Sequence, residues 1–563
     1  MITRRTVALV ALAIVAFGAV TAEAQSREQI DRLTALGQVW GFLKYYHPGV
    51  AAGSIDWDSA LVATVPKVRA AGTAGEFNAA IAALLDAAGT VRPCVDSVQP
   101  EGDGASRCAR VSPNSMRINL DFRWLTDSRI LGSDIARRLS QIRESRQRGP
   151  NRYVGFQLTA TFVSDTAFRA PEYPDEGQRL LALFRFWNAA RYYFPYMYAN
   201  GGDWNAVLPE FIPRLIAAKD ADEYHLTVAE MTTRLEDAHV VANSAPLARR
   251  FGVRLPPFEA RSIEGQIVVW KLRGAHTDSS ALRVGDVITH VDGEAVAERR
   301  RDLGKYVAAG NPSVFERKLV ELVLRGRQDS ATYTIERDGE PVTRRVAMAP
   351  PPSRTLPVYP VTDLAKVLPN GNIGYINMGD LELAEVDSAL AIVRNTDGIV
   401  MDVRNYPRGT MYAFANFFNR DARPFAKFTS VDPAYPGQVV WTTPMLAGLP
   451  GGNATAYRGR VAILVDERTQ SHAEFSVMAL RTAPENKVIG SQTAGADGNI
   501  TRLTLPGGIL TLFTGLGVYY PDGRETQRIG IVPDIEIRPT LKGLRAGKDE
   551  VLERAIGYIR TGR

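Results

Sequence analysis

The chain contains little cysteine and little charge imbalance, and each shortage excludes a class of function. Two cysteines in 563 residues are too few for a four-cysteine zinc site. The formal charge of +6 comes from 67 basic and 61 acidic residues without a dense lysine or arginine run, so nucleic acid is not an expected partner. Apolar residues make up 45% and charged residues 23%, which excludes global disorder, collagen and a polytopic membrane protein. No cluster of metal ligands and no suitably placed glycine-rich phosphate loop is present, so we expect neither a metal nor an organic cofactor.

The only long apolar run lies at the amino terminus. Arg4 and Arg5 precede an apolar stretch over 7–20, and Ala-Glu-Ala at 22–24 fits a small-x-small cleavage site. The pattern predicts a secretory signal peptide over 1–24. An uncleaved membrane anchor is the alternative, but the apolar run is short for a membrane span. We therefore expect a periplasmic or secreted protein with no stable membrane span after cleavage.

The two cysteines flank a loop rich in glycine, serine and aspartate. Cys94 and Cys108 lie in a chain that is predicted to be exported, where disulfides form and persist. We therefore expect a structural disulfide between them rather than two free thiols.

An internal repeat organises the first half of the chain. The segment Trp-Gly-Phe-Leu-Lys-Tyr-Tyr-His-Pro at 40–48 recurs as Trp-Asn-Ala-Ala-Arg-Tyr-Tyr-Phe-Pro at 187–195. Aspartate and tryptophan also recur at the same offset, at 56–57 and 203–204. Because apolar residues follow a helical spacing in the copies, the repeat predicts a duplicated helical N-terminal region. Its parts are a first helical unit over 25–90, a strand-rich insertion carrying the cysteines over 91–170, and a second helical unit over 171–248.

Residues 251–350 have the character of a β domain. We expect one strand over 262–272 and a turn-strand-turn unit over 282–293. The stretch Gly-Asp-Val-Ile at 285–288, followed by Asp-Gly at 292–293, resembles the PDZ domains of bacterial proteases. Such domains bind extended peptides by adding them to a strand edge. A generic β-rich domain is the alternative.

The remaining residues, 356–563, have an α/β pattern. Buried-strand runs at 373–376, 398–403, 461–465 and 487–490 alternate with helical stretches. Continuous apolar strands of this kind predict a largely parallel sheet that is covered on both faces. The fold class that we expect is therefore a multidomain α/β protein.

Ser471 is the first candidate for chemistry. It follows the strand at 461–465 and begins a helix, where the helix dipole favours developing negative charge. However, Ser-His-Ala-Glu at 471–474 also fits a capping box, which requires no catalysis. Position alone favours a helix cap over a nucleophile.

The surrounding motifs change that balance. In chain order they are Gly374-Tyr375, the turn from Asp402 to Gly409, Thr469-x-Ser471-x-Ala473-Glu474, Gly490-x-x-Thr493-x-Gly495, and Gly530-Ile-Val-Pro-Asp-Ile535. Together they resemble the tail-specific (C-terminal processing) and tricorn-core serine peptidases. The resemblance implies a crotonase/Clp-protease-like catalytic domain, preceded by a PDZ-like domain.

The resemblance also implies roles for individual residues. Ser471 falls on the family nucleophile, and the N–H groups of Gly409 and His472 fall on the oxyanion hole. C-terminal processing peptidases place a lysine base where this chain has Ala496, so a Ser/Lys dyad is not expected. The tricorn-like branch uses a histidine from the helical domain, which corresponds to His239. A hydrogen-bonded structural histidine is the alternative for His239, and the branch's second serine is Ala238 here.

A third residue should orient the imidazole. The residue aligned with the family glutamate is Gln527, while Glu525 lies two residues earlier and carries the charge that stabilises an imidazolium. We therefore expect Glu525 to orient His239, with Gln527 as the alternative. The His472 side chain is a second candidate base, ranked lower because it should point away from Ser471.

The resemblance implies an exported serine endopeptidase that acts on peptides or unfolded proteins without a cofactor. One rival is a non-catalytic peptide-binding protein on a peptidase scaffold, and another is a hydrolase of a different ester or amide.

Overall fold

We analysed a computed structural model of the protein. It describes residues 27–94, 108–147, 149, 151–163, 171–273, 282–351, 361–369 and 371–563. The predicted signal peptide lies outside these residues. Across these ranges, every helix is too short or too polar to cross a membrane.

Helices dominate the first half of the chain, and strands alternate with helices in the second half. The helices are α1 (27–46), α2 (Pro48–Ala51), α3 (Trp57–Ala70), α4 (Ala74–Ala88), α5 (Ser128–Glu144), α6 (Glu176–Tyr193), α7 (Val207–Ala217), α8 (Ala221–Thr232), α9 (Ala245–Phe251), α10 (Val296–Gly304), α11 (Pro312–Val323), α12 (Val361–Leu364), α13 (Val386–Val393), α14 (Met411–Phe418), α15 (His472–Leu480), α16 (Leu541–Arg545) and α17 (Glu550–Thr561). The strands are β1 (Ser115–Ile118), β2 (Val154–Phe156), β3 (Ala160–Phe162), β4 (Val241–Asn243), β5 (Phe258–Ile263), β6 (Gln266–Leu272), β7 (Val287–Val291), β8 (Glu294–Ala295), β9 (Ser330–Arg337), β10 (Glu340–Ala347), β11 (Ala365–Val367), β12 (Ile373–Asn377), β13 (Gly398–Asp402), β14 (Arg423–Val431), β15 (Gln438–Trp441), β16 (Met445–Ala447), β17 (Arg460–Val465), β18 (Asn486–Gly490), β19 (Ile500–Leu505), β20 (Ile509–Thr514), β21 (Gly517–Tyr519) and β22 (Ile535–Glu536).

Paired tryptophans tie the helices together in both halves of the N-terminal region. Trp40 Nε1 donates to the carbonyl of Trp57 at 2.9 Å, and Trp57 Nε1 donates back to the carbonyl of Trp40 at 3.0 Å. Trp187 and Trp204 exchange the same two bonds, at 2.8 and 3.2 Å. Buried indole N–H groups need such partners, so in each half these bonds hold the C-terminal part of a long helix against the start of a later helical segment.

The segment between the two helical units contains a disulfide and pairs with the C-terminal region. Cys94 and Cys108 form a disulfide with their Cα atoms 5.1 Å apart, which confirms the predicted pairing. Strand β1 pairs with β15, far along the chain.

A sheet with strand order β10-β9-β7-β6-β5 forms the middle of the chain, and α10 and α11 accompany it. The single strand expected over 262–272 is wrong, because a turn at Glu264 and Gly265 divides it into β5 and β6. Both residues have positive φ, +52° and +79°, which reverses the chain. The turn predicted at Asp292 and Gly293 is present with similar angles.

The C-terminal region contains a sheet of order β11-β12-β13-β17-β18-β22, in which all pairs after β11–β12 are parallel. Residues of α13, α14 and α15 pack on one face and those of α17 on the other, so the predicted doubly covered parallel sheet is confirmed. The strands have apolar residues on both faces because both faces are buried.

One hydrophobic core crosses the predicted boundary between the helical units and the C-terminal region. Side chains of β19, β20 and β21 pack into the core formed by the N-terminal helices. Strand β4, near the end of the second helical unit, pairs with β20. This pairing carries the residues just before β4 to the carboxyl edge of the parallel sheet.

Candidate active site

Ser471 lies in a strained turn between β17 and α15. Its φ of +58° and ψ of −125° are unusual for a residue with a side chain. The Ser471 N–H donates to the carbonyl of Ala496 at 2.9 Å and to Glu474 Oε2 at 3.2 Å. The predicted capping box is therefore present, and it does not account for the strained backbone. Sharp turns of this kind expose the nucleophile of several hydrolases above a parallel sheet.

Glu474 fixes this turn to the loop that follows β18. Its fully buried carboxylate accepts N–H groups from Gly495 at 2.8 Å and Ala496 at 3.0 Å, as well as the hydroxyl of Thr493. Burial raises the pKa of Glu474, and the hydrogen bonds to its oxygens oppose that rise. Ser471 therefore has little freedom to move relative to the 493–496 loop.

Two backbone N–H groups in the turns next to Ser471 have no acceptor in the described part of the chain. Gly409 has a φ of +80° and is exposed, and His472 is the first residue of α15. Within the described part of the chain, neither N–H donates a hydrogen bond. The Gly409 turn lies against the Ser471 turn, since Thr469 Oγ1 donates to the carbonyl of Val403 at 2.8 Å. Both N–H groups are therefore available as donors, which an oxyanion hole requires.

His239 is held by a hydroxyl and a carboxylate. Its Nδ1 lies 2.8 Å from Thr514 Oγ1, and Thr514 Oγ1 in turn lies 2.9 Å from Asp237 Oδ1. Asp237 also accepts the N–H of Thr514 at 2.6 Å and that of His239 at 3.0 Å. Since a carboxylate has no proton to donate, the Thr514 hydroxyl donates to Asp237 and accepts from His239. His239 therefore carries its proton on Nδ1 and presents a lone pair on Nε2.

Burial and nearby cations disfavour the protonated form of this imidazole. Burial lowers the pKa of His239, the carboxylate of Asp237 opposes that effect, and the cations of Lys318 and Arg317 add to it. A neutral imidazole with a free Nε2 can accept a proton from a hydroxyl group.

The His239 segment packs directly against the Ser471 turn. The Gln470 side chain lies 3.5 Å from the carbonyl of Ala238, a long hydrogen bond, and Ala238 packs against Ala494 and Ala496. The structure thus brings together the segments of Ser471, His239, Gly409 and His472. A direct hydrogen bond between Ser471 and His239 is not among the contacts of the described residues.

Glu525 does not orient His239, contrary to the sequence expectation. Its carboxylate accepts the Tyr198 hydroxyl at 2.7 Å, and it borders a different cleft from the one beside Ser471. Gln527 lies closer to the histidine network, because its Nε2 donates to Asp237 Oδ1 at 3.3 Å. Charge alone favoured Glu525, whereas the carboxylate beside His239 comes from its own turn.

The His472 side chain points away from the histidine network. Its ring lies 6.2 Å from the ring of Tyr406 and 6.3 Å from that of Phe475. Burial lowers its pKa. Its part in the site is that of its backbone N–H.

Sequence reasoning missed Asp237, Thr514 and Lys318. Asp237 precedes His239 by two residues, the spacing of an Asx turn, which is a local signal that was available. Thr514 reaches the site only through the pairing of β4 with β20. Lys318 lies on α11 and donates to the carbonyls of Val240 at 3.3 Å and Ala308 at 2.8 Å; burial lowers its pKa to about 8.

Comparisons with known proteins agree with this geometry. Residues 372–537 match the model of peptidase family S41. Over 416 residues the chain is 24% identical to tricorn protease homolog 2 of Streptomyces coelicolor, covering 68% of this chain and 31% of that one. The chain thus spans about a third of the length of this curated relative.

Solved structures share the fold. Mature CPAF complexed with lactacystin superposes with a TM-score of 0.52 at 14% identity, covering 69% of this chain and 99% of that chain. The CPAF s499a mutant superposes with a TM-score of 0.51 at 15% identity, covering 69% and 98%. These findings confirm the resemblance to the tail-specific and tricorn-like S41 peptidases that the sequence motifs indicated.

Proposed function

We propose that this protein is an exported serine endopeptidase. Its nucleophile is Ser471, in the region that matches the S41 peptidase family. One observation carries the proposal: the turn of the strained Ser471 packs against the segment of a histidine with an oriented tautomer, and two neighbouring backbone N–H groups have no acceptor in the described structure. A helix cap alone requires neither the donors nor the tautomer.

The proposed reaction follows from this arrangement. Ser471 Oγ attacks the peptide carbonyl while His239 Nε2 takes the hydroxyl proton, and the N–H groups of Gly409 and His472 stabilise the oxyanion. The imidazolium then returns the proton to the leaving amine, which breaks the C–N bond and leaves an acyl-enzyme. A water molecule, deprotonated by His239, hydrolyses the ester and restores Ser471.

Asp237 stabilises the imidazolium at a distance. Its Oδ1 lies 3.9 Å from His239 Nδ1, and Thr514 fills the space between them. The carboxylate thus compensates the positive charge during attack, while the Thr514 hydroxyl fixes the ring.

The middle domain is proposed to bind extended peptide in the manner of a PDZ domain. Strand β5 is the last in its sheet, so its outer edge can accept an added strand. Arg261 on this strand lies 3.1 Å from Asp466, in the turn that precedes Ser471. A peptide on the edge of β5 would therefore lie near the active site.

Export and the duplicated helical region complete the proposal. The Cys94–Cys108 disulfide supports export, because such bonds persist in oxidising compartments. The matching tryptophan pairs support an origin of the helical units by duplication.

The test is covalent labelling of the chain without its first 24 residues by a fluorophosphonate, followed by identification of the modified residue. We expect modification at Ser471 and none in Ser471→Ala. Hydrolysis of an unfolded protein should be lost in both Ser471→Ala and His239→Ala. A folded protein that takes no label but retains an unfolded-protein ligand would instead be a non-catalytic binder.

A further inference from the structure

A buried carboxyl group that the proposed reaction does not use lies beside Ser471. Asp497 is only 2% exposed and lines a cleft of about 310 Å³ together with Ser471 and His472. Its Oδ1 accepts the N–H of Gly498 at 2.7 Å. Its Oδ2 is buried without a hydrogen-bond partner in the part of the chain that the structure describes.

No cation of the described chain pairs with this carboxyl group. The charged group that acts on it is Glu474, another buried acid, which together with burial raises the pKa of Asp497 well above its ordinary value. A buried carboxyl oxygen without a partner is unfavourable, and a bound cation would remove that cost.

The walls of the cleft limit what can reach Asp497. Apolar and aromatic side chains border it, namely Tyr406, Phe428, Phe475, Leu516 and Val518. A side chain with an apolar stem and a cationic end fits both the apolar walls and the unpartnered carboxyl group, and lysine and arginine have such side chains. Because Ser471 itself borders the cleft, the occupant belongs to the residue whose carbonyl is attacked.

We propose that Asp497 determines substrate specificity by binding the lysine or arginine side chain immediately before the scissile bond. This inference rests on the proposed function and adds its substrate class. In the bound state the Asp497 side chain turns toward the cleft, because Oδ2 is covered in this structure. The ammonium or guanidinium group then donates to Oδ2, and the methylene groups lie against the aromatic walls.

The test compares two active-site-directed peptidyl diphenyl phosphonates that differ only in lysine or norleucine at this position. Norleucine keeps the four-carbon stem and lacks the ammonium group. We expect the lysine compound to inactivate the wild type at least about tenfold faster, the scale of a buried hydrogen bond to a charged group. In Asp497→Asn the ratio of the two rates should fall close to one. Asp522→Asn, an exposed acid outside the cleft, is the matched control and should keep the wild-type ratio.

The outcomes separate the inference from the proposed function. Absence of fluorophosphonate labelling at Ser471 would overturn the peptidase proposal itself. Labelling with equal rates for both phosphonates, or a preference for norleucine, would overturn only the role of Asp497. If Asp497→Asn fails to fold, the rate ratio in the wild type still decides, because a chain without lysine preference has no such subsite. A lysine preference that persists in folded Asp497→Asn would also overturn the assignment.

Discussion

Thr514 Oγ1 lies 2.8 Å from His239 Nδ1, so a hydroxyl occupies the place where a serine hydrolase usually has a carboxylate. The carboxylate belongs to Asp237, which accepts a hydrogen bond from the Thr514 hydroxyl. Thr514 and His239 are about 275 positions apart in the chain, and the pairing of β4 with β20 brings their segments together. We call the chain of hydrogen bonds from His239 through Thr514 to Asp237 the relay. It fixes the tautomer of His239 and places a negative charge near the imidazole.

Removing the Thr514 hydroxyl tests the relay. Thr514→Val keeps the side-chain shape but leaves His239 Nδ1–H without an acceptor, so we expect kcat to fall by roughly a hundredfold with little change in KM. Thr514→Ser restores the hydroxyl and should recover most of kcat. The control is Thr511→Val on the same strand, since Thr511 is also buried and its hydroxyl has no partner in the described structure. Steady-state kinetics on one peptide decide, and equal losses in both valine variants would contradict the relay.

The pH dependence of kcat/KM should report His239. The neutral imidazole is the active base and burial lowers its pKa, so we expect activity to rise with pH and reach half its plateau below pH 6.5. Asp237→Asn removes the charge that raises this pKa, so the acid limb should move to lower pH. Lys318→Met removes a cation that lowers it, so the limb should move to higher pH.

The same profiles test a lysine base. Lys318 has a pKa of about 8 and lies next to the His239 segment. A limb near pH 8 that disappears in Lys318→Met and survives in His239→Ala would show that lysine, not histidine, is the base.

We expect substitution of Gln527 to lower kcat more than substitution of Glu525, although Glu525 carries the charge. Glu525 binds the hydroxyl of Tyr198, so Glu525→Gln is expected to change kcat less than about threefold. Gln527→Ala removes a donor to Asp237 and should lower kcat by about three- to tenfold. Both single variants are measured on one peptide substrate. A large loss in Glu525→Gln with a normal Gln527→Ala would restore Glu525 as the residue that orients the imidazole.

How far the sequence predicts this protein depends on whether the signal is local. Runs of apolar residues at 398–403 and 461–465, alternating with helical stretches, predicted buried parallel strands, because strands covered by helices on both faces carry continuous apolar runs. The Cys94–Cys108 pair was also predictable from its spacing and the expected compartment. Gly265 was an available signal for the turn that divides 262–272, whereas Glu264, which also takes a positive φ, gives none.

The candidate site depends on contacts that single-sequence patterns do not contain. Thr514 meets His239 only because β4 adds to β20, a pairing between distant segments. Asp497 is an ordinary acid in the sequence and becomes notable only when its burial and its unpartnered oxygen are known. Sequence motifs therefore indicated Ser471 and His239 as candidates and contained a local signal for Asp237, whereas Thr514 and Asp497 depend on the tertiary fold.

We expect that replacing Ser471 by glycine stabilises the fold and abolishes activity. A residue with a side chain at a φ of +58° carries backbone strain that glycine does not. We therefore expect Ser471→Gly to raise the free energy of unfolding by roughly 1 kcal/mol, measured as a higher midpoint of urea unfolding. The loss of the cap subtracts only a few tenths of a kcal/mol, because glycine is also accepted at an N-cap. The same variant should lose all fluorophosphonate labelling. Ser476→Gly in the interior of α15 is the matched control; it removes a buried hydroxyl that donates to the His472 carbonyl and should lower the midpoint. If Ser471→Gly is the less stable of the two, the strain does not exist and the serine is retained at this position as a cap.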